Sequence, residues 1–139
     1  MTGWEARGAN GFAIDPKNAR HVLGVGGNSI DWDKNWGPSP NGLYLSTDKA
    51  ASWKHVLAVL TGFNGQLAWD PTSFDAAKGF CTAAYYLTPS QGLLRSADGG
   101  QTWTRPEAGA DPDGFAGGRD KYHLAVDTQA KVTAAGSCK

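Results

Sequence analysis

One Gly- and Pro-bounded stretch of the chain, Asp31-Trp32-Asp33-Lys34-Asn35-Trp36, interleaves two carboxylates with two indoles. That pattern suits a sugar site, because flat aromatic faces stack on the apolar faces of sugar rings while acids hold hydroxyls or exchange protons. The same acids serve equally well as turn caps in a solvated loop, and residue type alone leaves both roles open. Tyr85 and Tyr86 either line such a site or pack in a core. Asp31, Asp33 and Asn35 also supply the first, third and fifth oxygens of a calcium loop, but Trp36 stands where an EF-hand needs Gly and Gly42 where it needs Glu. No metal ligand set is expected.

Other chemistries are disfavoured. His21, His55 and His123 have no metal-ligand spacing and read as ordinary strand or turn residues. The sequence carries no Gly-x-Ser-x-Gly elbow, phosphate loop or dinucleotide fingerprint, so no cofactor is expected and hydrolysis, if any, must rest on carboxylates. With 13 Lys+Arg against 13 Asp+Glu, the formal net charge of +0 argues against a nucleic-acid partner. No apolar run approaches the roughly 18 residues of a membrane span. Residues 1–7 lack a secretory signal, which implies the cytoplasm, or an extracellular or periplasmic site if an export signal lies outside this chain. Cys81 reads as a small buried apolar residue; whether it pairs with Cys138 stays open, and two cysteines make no disulfide framework.

The elements that must position these residues come from a repeat. Ser46-Thr47-Asp48-Lys49-Ala50-Ala51-Ser52-Trp53 recurs about 50 residues later as Ser96-Ala97-Asp98-Gly99-Gly100-Gln101-Thr102-Trp103, each copy following a Gly-Leu strand. Upstream, Phe12-Ala13-Ile14-Asp15-Pro16 is echoed by Leu67-Ala68-Trp69-Asp70-Pro71 and begun again at Leu124-Ala125-Val126-Asp127. Short runs bounded by Gly, Pro, Asn and Asp predict strands at about 11–15, 21–26, 42–46 and 52–60, then 66–70, 79–87, 92–96 and 102–105, with no helical period. Four antiparallel strands per unit of about 50 residues predict an all-β chain, a β-propeller segment of about two and a half four-stranded antiparallel blades. The blades fall at about 11–60, 66–105 and, incompletely, 122–139 of a single partial propeller.

The two octads resemble the Asp box, Ser-x-Asp-x-Gly-x-Thr-Trp, of BNR or sialidase-like repeat proteins. Together with Asp-Pro before a polar turn, the chain looks most like the propellers of xyloglucanase-type glycoside hydrolases. The resemblance implies a structural role for Ser46, Asp48, Trp53, Ser96, Asp98, Gly100, Thr102 and Trp103, on the rim away from the ligand pocket, with each Trp between neighbouring sheets. In the first copy Ala50 replaces Gly100, so that turn is expected to be strained, by about 1 kcal/mol for a left-handed Ala, or differently shaped. The resemblance further implies that Asp31 or Asp33 occupies the place of one catalytic acid, with Trp32, Trp36, Tyr85 and Tyr86 as substrate-binding candidates. The family's Thr-Asp-Val-Gly-Gly-like run is absent, and Arg7, Arg20, Arg95, Arg105 and Arg119 lack the Arg-Ile-Pro context of a sialidase.

A propeller of about four to eight blades closes on itself, and this chain supplies about two and a half. Trp69, Leu93 and Val126 are therefore expected to meet water on its open sides. The expected partners are polysaccharide or glycan, and further blades from a longer chain or from identical subunits. Two functional classes follow: a module of a glycoside hydrolase, or a non-catalytic scaffold for protein–protein assembly. The segment alone is expected to be inactive.

Overall fold

The computed structural model describes residues 1–6, 8–27, 41–59, 65–88, 92–105, 124 and 126. The described chain is all-β. β1 (Ala9–Asp15), β2 (Asn18–Gly26), β3 (Gly42–Ser46) and β4 (Lys54–Ala58) form an antiparallel meander in that order. The β1–β2 hairpin is set locally: Pro16 fixes its own φ, and the Asp15 carboxylate turns back to accept the Lys17 amide at 2.8 Å. Both strands start before the expected positions: β2 because this short turn lets Asp15 pair with Asn18, and β1 because its first residue, Ala9, pairs with Gly26.

The second unit begins with β5 (Gln66–Trp69) and reuses the device, with Asp70 accepting the Thr72 amide at 2.9 Å at the head of a 3-10 turn, Pro71–Ser73. The strand expected at 79–87 is broken in two. β6 (Phe74–Asp75) and β7 (Phe80–Cys81) form a small hairpin of their own, and β8 (Ala84–Thr88) then joins β5 and β9 (Gly92–Ser96) in a sheet of order β5-β8-β9. The break lies at Thr82 and Ala83, whose amides donate to the Ser73 carbonyl and hydroxyl at 3.1 and 2.8 Å. No strand forms at 102–105; the fourth strand there is reduced to one bridge, Arg95 with Thr104. Of the third unit only Leu124 and Val126 are described.

Alternation along the strands gives each sheet two apolar faces. On the first sheet Leu23, Val25, Leu43 and Leu45 face the second, where they meet Trp69, Cys81, Ala84, Tyr86 and Leu94; Trp103 touches both halves of this joint. Each fully buried side chain of that kind stabilises by about 1.5 to 3 kcal/mol, so the joint supplies burial that neither thin sheet has alone. Polar groups bridge it as well. Trp69 Nε1 donates to the Ala13 carbonyl at 3.0 Å, Asn18 Nδ2 to the Gly79 carbonyl at 2.9 Å, and the Cys81 amide to Asp15 Oδ2 at 2.8 Å. Trp69 is consequently buried, contrary to expectation, while Leu93 and Val126 are half-buried.

The other face of the first sheet carries Val22, Tyr44 and Trp53, covered by residues 1–6. Thr2 donates to the Ala51 carbonyl at 3.1 Å and accepts the Trp53 amide at 2.9 Å. Trp4 then lies on Tyr44 and Trp53, ring centroids 4.5 and 5.0 Å away. Trp53 thus packs beneath the N-terminal segment, whereas Trp103 packs against both core clusters between the two sheets.

Candidate functional site

Register sorts the connections between two ends. Gly26 pairs with Ala9 and Gly42, so Gly27 and Asn41, the roots of the 28–40 connection, lie beside the start of β1. They are held there: the Gly27 amide donates to the Gly8 carbonyl at 3.0 Å, Asn10 Nδ2 to the Gly27 carbonyl at 3.0 Å, and the Val59 amide to the Asn41 carbonyl at 3.1 Å. Pairing of Gln66 with Leu87 and of Thr88 with Gly92 marks the corresponding end of the second sheet.

Between β1 and β5 at this end is a cavity of about 260 Å³, lined by Gly11, Phe12, Gly65, Gln66, Leu67 and Leu124. Gln66 Oε1 accepts the Leu124 amide at 2.5 Å, linking the third unit to the second. A side-chain amide and backbone groups suit a neutral, hydroxyl-bearing ligand; among the described residues the lining holds no carboxylate.

Asp31, Trp32, Asp33 and Trp36 lie outside the described residues. Tyr86, a substrate-binding candidate, is 0% exposed. Its ring meets Trp103 edge-on at 6.4 Å, and burial pushes its hydroxyl up to about 12. Packing, the alternative the sequence left open for it, describes its position. Tyr85 is half-buried and, one residue along the strand, belongs to the face turned away from the first sheet.

The two octads lie at the opposite end and form the same turn. Ser46 Oγ donates to Asp48 Oδ1 at 2.8 Å, and Asp48 accepts the Ser52 amide and hydroxyl at 2.8 and 2.5 Å. In the second copy Ser96 Oγ donates to Asp98 Oδ1 at 2.8 Å, and the Thr102 amide and hydroxyl donate to Asp98 at 2.9 and 2.5 Å. Hydrogen bonds from Ser52 and Ser46 hold the Asp48 carboxyl down to about 2. Burial raises that of Asp98, but the bonds from Thr102 and Ser96 outweigh it and the net shift is downward. These acids are fixed acceptors, each already occupied within its own turn. The first turn is strained in shape: Lys49 and Ala50 have φ of 63° and 66° where Gly99 and Gly100 have 78° and 87°.

A second group of titratable residues, with no signature in residue spacing, is buried at the joint. His21 Nδ1 stands 3.6 Å from Asp15 Oδ2, beyond hydrogen-bond reach, and the ring lies against Trp69 and Phe80. Burial lowers the His21 pKa, against the opposing pull of Asp15. For Asp15, burial pushes upward, yet the hydrogen bonds from Cys81 and Lys17, with His21, leave it below the usual value. Burial, and then the nearby Asp15 carboxylate, push the Cys81 thiol up to about 12, so it is no nucleophile. His21 is thus a core residue at an interface. Among the described residues no group of three or more His, Cys, Asp or Glu could hold a metal ion.

Antiparallel sheets stacked face to face, with long connections at one end and Gly-type turns at the other, define a segment of a β-propeller. The structure is similar to that of a GH74 enzyme of Niastella koreensis, with a TM-score of 0.51 and 23% identity over 71% of this chain and 14% of that one. The GH74 xyloglucanase of Xanthomonas campestris gives a TM-score of 0.47 and 22% identity, over 72% of this chain and 15% of that one. The chain therefore spans only a small part of the length of either enzyme. No protein-family model and no curated protein matches the sequence.

Proposed function

We propose that this chain is the propeller portion of a carbohydrate-active protein, glycoside-hydrolase-like, that engages polysaccharide at the end of its sheets where the long connections arise. The observation that carries this reading is the rooting of the 28–40 connection: Gly27 and Asn41 are pinned at that end, on the same sheet as Phe12 of the cavity lining. A segment so rooted, carrying Trp32 and Trp36 with Asp31 and Asp33, has the rings to stack on sugars and the acids to hold their hydroxyls. Cleavage would need two carboxylates about 5 to 10 Å apart, and Asp31 and Asp33 are the candidates this chain offers. GH74 enzymes among the structural neighbours agree with this reading at the level of fold.

Titration calorimetry with soluble β-glucan tests it. Trp32→Ala or Trp36→Ala should weaken binding by about 1 to 3 kcal/mol, the burial and stacking of one ring. Absence of glycan affinity in the intact protein would reject the reading. Unchanged hydrolysis by Asp31→Asn and Asp33→Asn in the complete protein would remove both acids from any mechanism. A second reading, a non-catalytic scaffold for assembly, is favoured by one observation: apolar side chains left bare on the first sheet.

A further inference from the structure

The two units differ at the end where their connections arise. Between β2 and β3 the chain runs through residues 27–41, whereas between β8 and β9 it runs through 89–91 alone. At the root of the long connection stands a side-chain arrangement that residue spacing did not announce. Asn41, the last residue of that connection, is buried, and its carbonyl takes two donors: the Val59 amide at 3.1 Å and the His55 ring through Nε2 at 3.3 Å. A carbonyl only accepts, so Nε2 carries the proton. The His55 ring is stacked on that of Tyr44, with centroids 4.7 Å apart and planes at 24°, and the fully buried Tyr44 lies in turn against Trp4.

Two features of the backbone bring His55 there. β4 carries one extra residue opposite β3, because Leu43 pairs with Leu57 but Tyr44 with His55, which leaves Val56 bulged. A bulge re-aims the side chains beside it, and this one sets His55 across from Tyr44. Gly42 then makes room for the ring: a Cβ at that position would meet His55 Nε2 at 2.7 Å and run into the Leu57 carbonyl oxygen. At the corresponding repeat positions of the second unit stand Leu94 for Tyr44 and Arg105 for His55, so no such stack is built beside the short connection. A binding side chain is held only as well as the segment that carries it, and supporting residues locked by packing and hydrogen bonds do the holding. We propose that His55 is a positioning residue for sugar recognition: braced on Tyr44, it fixes through Nε2 the Asn41 carbonyl that roots the connection between β2 and β3. This rests on the reading that this end of the sheets engages polysaccharide.

Two variants of the intact protein test it. His55→Phe keeps a ring for Tyr44 and removes the donor, while His55→Gln removes the ring and keeps an N–H donor. Because His55 is an exposed residue, both should retain the circular dichroism and melting temperature of the wild type. Amide hydrogen exchange reads the root without any sugar: the Val59 amide, which shares the Asn41 carbonyl with His55, should exchange several-fold faster in His55→Phe and recover in His55→Gln, with the Cys81 amide at the joint unchanged in both. Calorimetry with soluble β-glucan reads the function: affinity should fall about three- to tenfold in His55→Phe, the worth of one ordinary hydrogen bond, and return in His55→Gln. A wild type that binds β-glucan beside a His55→Phe variant that binds it equally well would overturn this proposal alone. Unchanged exchange at Val59 would do the same. A wild type with no affinity for β-glucan would overturn the underlying reading and this proposal with it.

Discussion

The Asp15 carboxylate accepts the Cys81 amide at 2.8 Å across the joint, tying two residues 66 positions apart. Its other oxygen accepts the Lys17 amide at 2.8 Å and closes the β1–β2 hairpin. One side chain thus shapes its own turn and positions the neighbouring unit.

Replacing Asp15 by Ala should therefore cost more than loss of a surface acid. The buried Cys81 amide would be left without its acceptor, at about 1 to 3 kcal/mol. Asp15→Asn retains one oxygen and should lose less. Urea denaturation measures both, and equal losses would show that the acceptor oxygen Asn retains contributes nothing.

The two octad turns should respond oppositely to exchange of their residues. Lys49 is exposed and left-handed, a conformation costing about 1 to 2 kcal/mol for an L-residue. Lys49→Gly relieves this at an entropic cost of about 0.5 to 1 kcal/mol, so a gain of roughly 0.5 kcal/mol is expected. Gly100→Ala, by contrast, adds left-handed strain and a Cβ 2.9 Å from Leu23 Cδ2, and should lower the melting temperature. A destabilised Lys49→Gly would contradict this account.

His21 should make the fold acid-sensitive at mild pH. Its folded pKa is depressed, chiefly by burial, so the unfolded chain binds the proton more readily and stability falls as pH drops through the ordinary histidine value near 6.5. The depressed Asp15 carboxyl acts in a lower window, losing its contribution as pH falls from about 4. Thermal melts from pH 7.5 to 5 should show a decline that His21→Gln flattens. A parallel decline in the variant would move the sensitivity elsewhere.

Much of the fold is legible in the chain because it is written in local rules. Asp-Pro followed by a short polar turn marks each hairpin, as Asp15 with Lys17 and Asp70 with Thr72 show. The octads announce their turns through Ser and Asp two positions apart, joined by hydrogen bonds of 2.8 Å in both copies. Strands β3 and β9 fall at the positions that Gly-Leu and Ser delimit. The splitting of the 79–87 strand was not legible, because it depends on Ser73 receiving amides of Thr82 and Ala83.

The sequence by itself determined the hairpin and octad turns and the strands that adjoin them, such as β3 and β9, since each depends on residues within a few positions of one another. Which side of a strand is core was left to tertiary structure, for a physical reason. In stacked sheets both faces are apolar, so alternation between them carries no polarity to read. Nothing in Tyr85-Tyr86 tells which ring is fully enclosed, nor does Phe12-Ala13-Ile14 differ in pattern from Leu67-Ala68-Trp69. Only the placement of one sheet on another buries Tyr86 and Trp69, encloses His21 beside Asp15, and leaves Phe12 and Ile14 in water.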